Sequence, residues 1–273
     1  MKILPALALL WSTSVGAQLR ATALNDHLTL LQTPSSNLVA DVGPEGAVLV
    51  GAVDTSSAKA IADWLQTHTA SPRRYVLAMI GLTSRGQADA GWDARGALVI
   101  MQEFGVRRME RVPAPGLRRP RAEFSQFFSI ELNGEPMHAV RQEPGYASSD
   151  VLVHFENSSI VYLGESYPGD GYPRIDAALG GTIDGLLKTL EPWVKANGIK
   201  FVGARGEMAT ADDIASFREM LTAVRDRVQR SKQAGQSVEQ VLAAHPTAEY
   251  DARWGRGVTS SDAFVRNVYA LVR

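Results

Sequence analysis

The side chains able to do acid–base, nucleophilic or metal chemistry are thinly spread in this chain. It has five histidines and no cysteine. His27, His68, His138, His154 and His245 are far apart in sequence, so there is no compact His-x-His or His-x-x-x-His pair. A zinc site needs about three N, O or S donors. His138 and His154 fall on neighbouring predicted strands, but a third partner is missing, and strand histidines of this kind read as core or hydrogen-bonded residues. There is no Gly-x-Ser-x-Gly elbow, no Walker loop and no Rossmann glycine pattern. The stretch RYVLAMIGLTSRGQADAGW, from Arg74 to Trp92, is an apolar strand that breaks at Gly81 into a polar loop. Such strand-to-loop junctions are where α/β enzymes place chemistry. This loop holds no histidine or cysteine and only one carboxylate, Asp89. Ser84 is its one nucleophile-type residue of note, and no histidine lies near it in sequence. A run of arginines, Arg107, Arg108, Arg111, Arg118, Arg119 and Arg121, reads either as a solvated basic face or as an anion-attracting loop beside a site.

Stepping outward, these residues must be positioned by alternating strands and helices. Three short strands are predicted over 27–33, 37–42 and 47–51, separated by turn residues 34–36 and 43–46. A helix over 57–68, capped by Asp54 or Thr55, carries Ile61, Trp64 and Leu65 at helical spacing. Strands follow at 75–80 and 97–101, then a short helix to about Arg111 and an irregular proline-containing loop to Arg121. In the second half, strands 127–132 and 136–141 flank Asn133-Gly134, a type I′ hairpin signal. Strands 151–155 and 160–163 flank a second turn. A glycine- and proline-rich loop over 164–181 leads to a helix from Thr182 to Asn197, a strand at 200–203, and a long helix capped by Thr210 with Asp213 at its third position. Helices at 238–244 and 261–272 close the chain. The order βββαβαβ followed by ββββαβα implies two sheets packed together with helices outside, an α/β four-layer αββα sandwich.

The bulk numbers exclude several classes. The formal net charge is −1, which favours neither nucleic acid nor an anionic membrane as partner. Hydrophobic residues make up 45%, enough for a stable core without disulfides. Lys2, the short apolar run from Ile3 to Trp11, and Val15-Gly16-Ala17 fit a secretory signal peptide cut after Ala17. No transmembrane span then remains, and 18–273 reads as one periplasmic or secreted domain.

Several segments together resemble the metallo-β-lactamase fold, in its exported hydrolase-like branch: GPEGAVLVGAVDT, GALVIMQEFGVRRM, EPGYASSDVLVHFENSSIVYLGESY, GYPRIDAALGGTIDGLLKTLEPW, TADDIASFREMLTAVRDRV and HPTAEYDARWG. The resemblance implies a zinc-dependent hydrolase with metal ligands on loops at one edge of the sandwich. It places the first motif, His-x-His-x-Asp-His, on Ile80, Leu82, Ser84 and Arg85. The later ligands fall on Tyr146, Glu165 and Arg205. Of these only Glu165 is a fair zinc ligand, so the sequence supports no zinc cofactor and no catalytic residue carried over from the family.

Removing a metal alone would leave a carboxylate desolvated and unpaired, at a cost of several kcal/mol. Arg85 and Arg205 are expected to pair with Glu165 instead, through the planar guanidinium fork, while Ile80 and Leu82 fill space once held by imidazoles. The chain is thus expected to be a non-catalytic pseudo-enzyme that binds a small anionic ligand or an exported protein partner in the former active-site cleft. The alternative is a metal-independent hydrolase using Ser84, Tyr146 and Glu165.

Overall fold

The computed structural model describes residues 19–53, 56–78, 92, 95–111 and 119–273. Among these, the apolar runs become strands, several of them buried on both faces. The first sheet contains, in spatial as in chain order, β1 (Arg20–Ala23), β2 (Leu28–Gln32), β3 (Asn37–Gly43), β4 (Gly46–Gly51), β5 (Arg74–Ala78), β6 (Leu98–Gln102) and β7 (Ala122–Phe124). The second contains β8 (Phe127–Leu132), β9 (Glu135–Arg141), β10 (Val151–Phe155), β11 (Ile160–Gly164) and β12 (Lys200–Gly203), ordered β12-β11-β10-β9-β8. From β4 to β7 the first sheet is parallel, which requires crossovers. Helices α1 (Ala58–His68) and α2 (Glu103–Arg111) supply two of them.

Alternation along each strand sorts its side chains between two layers. In β4, Val48 and Val50 face the second sheet and join Leu28, Val39, Val153, Phe155 and Val202. Ala47 and Leu49 face the other way, against Ile61 and Leu65 of α1 and Val106 and Met109 of α2. The second sheet's outer face is covered by α3 (Ile183–Leu190), the long α4 (Ala211–Gln233) and α7 (Ser261–Leu271), with Ile214, Phe217, Leu221, Val224 and Phe264 fully buried. Two further short helices, α5 (Val238–Ala243) and α6 (Asp251–Trp254), complete that layer. The result is the expected αββα sandwich.

Some boundaries differ from the sequence reading, each for a local reason. The helix begun by Thr182 ends at Leu190 rather than Asn197 and tightens into a 3₁₀ turn over Glu191–Trp193. Pro192 lacks an N–H and cannot continue the α-helical ladder. β1 and β7 were not anticipated; β1 is mostly exposed and has no apolar alternation, so only its pairing with β2 defines it. Asp54 and Thr55, expected to cap α1, lie outside the described residues, and Ser57 occupies the cap position without a side-chain capping bond. The signal peptide, residues 79–80 of the predicted fifth strand, and most of the proline-containing loop also lie outside them. The capping box of α4, Thr210 with Asp213, forms as read, as does the Asn133-Gly134 hairpin turn, with φ of 54° and 77°.

At the end of the sandwich remote from the C-terminus of β4, a polar tie joins the sheets. Asp41 on β3 is fully buried. One of its oxygens accepts from Asn133 Nδ2 of the second sheet at 3.1 Å and lies 3.1 Å from His27 Nδ1. His27 Nε2 stands 3.9 Å from the buried carboxylate of Glu135 on β9, which also accepts from Ser158 Oγ and from the Asn157 N–H. The second Asp41 oxygen is buried and has no partner among the described residues. Burial pushes the Asp41 carboxyl up to about 6, against the opposing hydrogen bonds from Asn133 and His27. The folded state therefore holds a proton that the unfolded chain has already lost, so this residue's contribution falls as pH rises from about 4 to about 6. Replacing Asp41 with Asn should remove that dependence. In denaturant titrations, the stability difference between D41N and the parent should shift in favour of D41N by up to about 3 kcal/mol from pH 4 to pH 7. A difference constant across that window would contradict the assignment.

Candidate functional site

The opposite end of the sandwich carries the loops that leave β4, β11 and β12, with the 142–150 loop between β9 and β10. Two features shape it. The first is a carboxylate knot. Asp150, largely buried, accepts three backbone N–H bonds, from Gly145 at 3.0 Å, Tyr146 at 2.6 Å and Ala147 at 3.0 Å. This pulls the loop into a tight cup around one side chain. Burial raises the Asp150 carboxyl to about 7, with the three N–H bonds opposing and nearby Glu165 adding to the rise. The GGTIDG segment fits beneath the same loop. Thr182 donates from Oγ1 to the Pro144 carbonyl at 2.9 Å, and a Cβ on Gly185 would sit 2.0 Å from that carbonyl oxygen. Only glycine allows α3 to approach this closely.

The second feature is an ion-pair cluster. β11 ends in a bulge at Gly164, and Glu165 follows directly. The 165–170 loop runs alongside the residues after β12: the N–H of Ala204 donates to Tyr167 O and that of Arg205 to Pro168 O, each at 3.0 Å. Gly169 has a φ of 84°, and a Cβ there would lie 2.1 Å from the Arg205 carbonyl oxygen. This backbone contact brings Arg205 against two acids. Its Nη1 donates to Glu165 Oε1 at 3.1 Å and its Nη2 to Oε2 at 3.4 Å. Its Nε contacts both Asp170 oxygens, at 3.1 and 3.2 Å. The Glu165 and Arg205 side chains are only 12% and 11% exposed, Asp170 33%, so this pair is more shielded than a surface salt bridge. Burial works to lower the Arg205 pKa, but Glu165 and Asp170 overcome it and raise it above the ordinary value.

The structure thus brings together two of the residues expected to share a site, Glu165 and Arg205, in the forked geometry expected of them. Arg85 lies outside the described residues, as do Ile80, Leu82, Ser84 and Asp89. Tyr146 is described and buried, its ring in the core between the sheets and the Arg174 guanidinium 5.9 Å from its centroid. Asp170 was missed by the sequence reading. Its only signal is a place in a Gly-Asp-Gly stretch of the long loop, which does not say that the loop folds back onto β12. Beside the cluster, Glu165 and Asp150 line a small pocket with Ser36, Ala52, Ser166 and Ala204.

Among the described residues, the donors at this edge do not fit a zinc ion. Asp150 is committed to backbone N–H groups, Glu165 and Asp170 to a guanidinium. A dication beside Glu165 would face the fixed positive charge of Arg205 at close range. Among the described residues no cluster of three or more His, Cys, Asp or Glu side chains could hold a metal. His138 and His154 are elsewhere, facing each other across β9 and β10. His138 bridges Ser129 at 2.5 Å and Glu156 at 2.9 Å. The His154 pKa is lowered by burial and by His138.

No family model matches the chain, and a search of curated proteins found no match. Solved structures do match. A metallo-β-lactamase from Pontibacter korlensis superposes with a TM-score of 0.60 at 12% identity, covering 75% of this chain and 99% of that one. One from Hirschia baltica gives 0.55 at 16% identity, covering 75% and 97%. The mono-zinc form of FIM-1 from Pseudomonas aeruginosa gives 0.59 at 14% identity, covering 74% and 95%. At these identities the likeness establishes architecture: the chain has the metallo-β-lactamase fold.

Proposed function

We propose that this chain is an exported, non-catalytic protein built on the fold of zinc hydrolases, in which Arg205 provides the counter-charge to Glu165 that a metal would otherwise provide, and that it works by binding an anionic ligand on the loop-bearing side of the sandwich. The observation that carries this reading is the Arg205–Glu165–Asp170 cluster. A carboxylate at the edge of a low-dielectric cleft needs a positive partner. Here the partner is covalently part of the chain and bound through three of its nitrogens. Export to the periplasm rests on the N-terminal sequence alone, and zinc-dependent chemistry draws no support from the residues at this edge. The competing reading, hydrolysis by Ser84, Tyr146 and Glu165, is weakened by the commitment of Glu165 to Arg205 and by the burial of Tyr146.

Two measurements test the proposal. Arg205→Met should remove the partner that Glu165 and Asp170 share and cost about 3 kcal/mol of unfolding free energy. Glu165→Gln in the same chain should recover at least about 1 kcal/mol of that loss, the signature of a direct pair. Additive effects would show that the two charges do not compensate each other. Separately, a chromogenic β-lactam, an aryl lactone and a thioester should show no hydrolysis above buffer background, with or without added zinc. Turnover abolished by a chelator would overturn the non-catalytic reading.

A further inference from the structure

A larger groove lies on the other side of the 142–150 loop from the ion-pair cluster. It opens between α2 and the 3₁₀ turn at Ala177–Leu179, and Phe104, Arg107, Arg108, Arg111, Ser148 and Leu179 line it. Its charge is one-sided. Arg107 has one carboxylate partner, Glu103, at 2.8 Å. Among the described residues neither Arg108 nor Arg111 has a carboxylate within ion-pair distance, whereas Arg119 reaches both Glu110 and Glu123. The nearby Arg141 guanidinium stacks 4.7 Å from the Phe104 ring, and Arg107 lies 5.4 Å from the same ring. Phe104 is thus approached by two guanidinium groups, a contact that helps to hold all three side chains in place. Among the described residues the Arg108 Nε is buried without a hydrogen-bond partner, and a buried donor left unpaired is costly.

From this arrangement we infer that the groove is a binding site for an amphipathic anion: a carboxylate or phosphate head held by Arg108 and Arg111, with an apolar body lying along Phe104 and Leu179. Guanidinium forks match such heads through paired hydrogen bonds, and the apolar lining accounts for a body that inorganic anions lack. The inference rests on the reading of the chain as a binding protein and names its ligand class. It places the ligand one loop away from the zinc position of the fold, since Arg205 is engaged by Glu165 and Asp170.

Calorimetric titration of the mature chain tests this with decanoate and decyl phosphate below their aggregation concentrations, and with decanol and inorganic phosphate as the two halves of the ligand. Both amphiphiles should bind at one site per chain, and each half should bind at least about tenfold more weakly. Arg108→Gln with Arg111→Gln should weaken the amphiphiles about tenfold or more. Arg119→Gln, which removes an arginine already paired with acids, should not. Co-sedimentation with phosphatidylglycerol vesicles that is lost in the Arg108/Arg111 variant would identify a lipid headgroup as the source of the same chemistry. Retained sensitivity to free decanoate without vesicle binding would identify a soluble amphiphile. Affinity unchanged in the double variant, or inorganic phosphate binding as tightly as decyl phosphate, would overturn the proposal. Chelator-sensitive hydrolysis would instead defeat the non-catalytic reading and leave the arginine dependence of binding intact, so the two failures are distinguishable.

Discussion

The arrangement of the loop edge depends on one constraint: a carboxylate held where water is scarce must be given a positive partner or a proton. Glu165 is placed there by the end of β11, and its fold-related neighbours with zinc would meet the constraint with a cation. In this chain a guanidinium meets it. The pairing fixes more than charge. To reach Glu165, Arg205 must leave β12 at the right height, so the backbone after β12 bonds to the 165–170 loop and Gly169 takes a left-handed conformation at its closest approach. Asp170 then completes the fork. Asp150 meets the same constraint differently, by gathering three backbone N–H groups and by a pKa raised to about 7. The two solutions meet at the wall of one cavity.

The scaffold beneath these loops holds them through three apolar layers. Strands such as β3 and β4 are buried on both faces, so a slip of one residue would exchange the inter-sheet and helix-facing side chains but expose neither set. Register is instead held by turns and polar ties. Asn133, at the tip of the β8–β9 hairpin, donates to Asp41 on β3 and accepts from the N–H of Glu45. One turn residue thus pins the second sheet against the first. Between the polar tie at one end and the ion-pair cluster at the other, the layer between the sheets is mostly apolar.

Much of this architecture could be read from sequence because it follows from local physics. Apolar runs of strand length, turn residues between them and the Thr210–Asp213 capping box each report on a few neighbouring residues. The pairing of Glu165 with Arg205 could be read because a resemblance placed both at one site and charge complementarity did the rest. What could not be read depends on distant contacts. β1 has no pattern of its own and exists because β2 offers an edge. Asp170 joins the cluster only after a glycine-rich loop has folded back. The basic run from Arg107 to Arg121 looked uniform, yet its members differ: Arg107 and Arg119 are paired with acids, while Arg108 and Arg111 line a groove. Which arginines find carboxylates is decided in three dimensions.

The proposal that Arg205 takes the place of a metal beside Glu165 is tested most directly by elemental mass spectrometry for zinc and iron on the chain, purified without added metal and without chelator. The account predicts less than about 0.1 metal ion per chain. One zinc per chain, retained through gel filtration, would mean that side chains at this edge converge on a cation despite Arg205, and would contradict it.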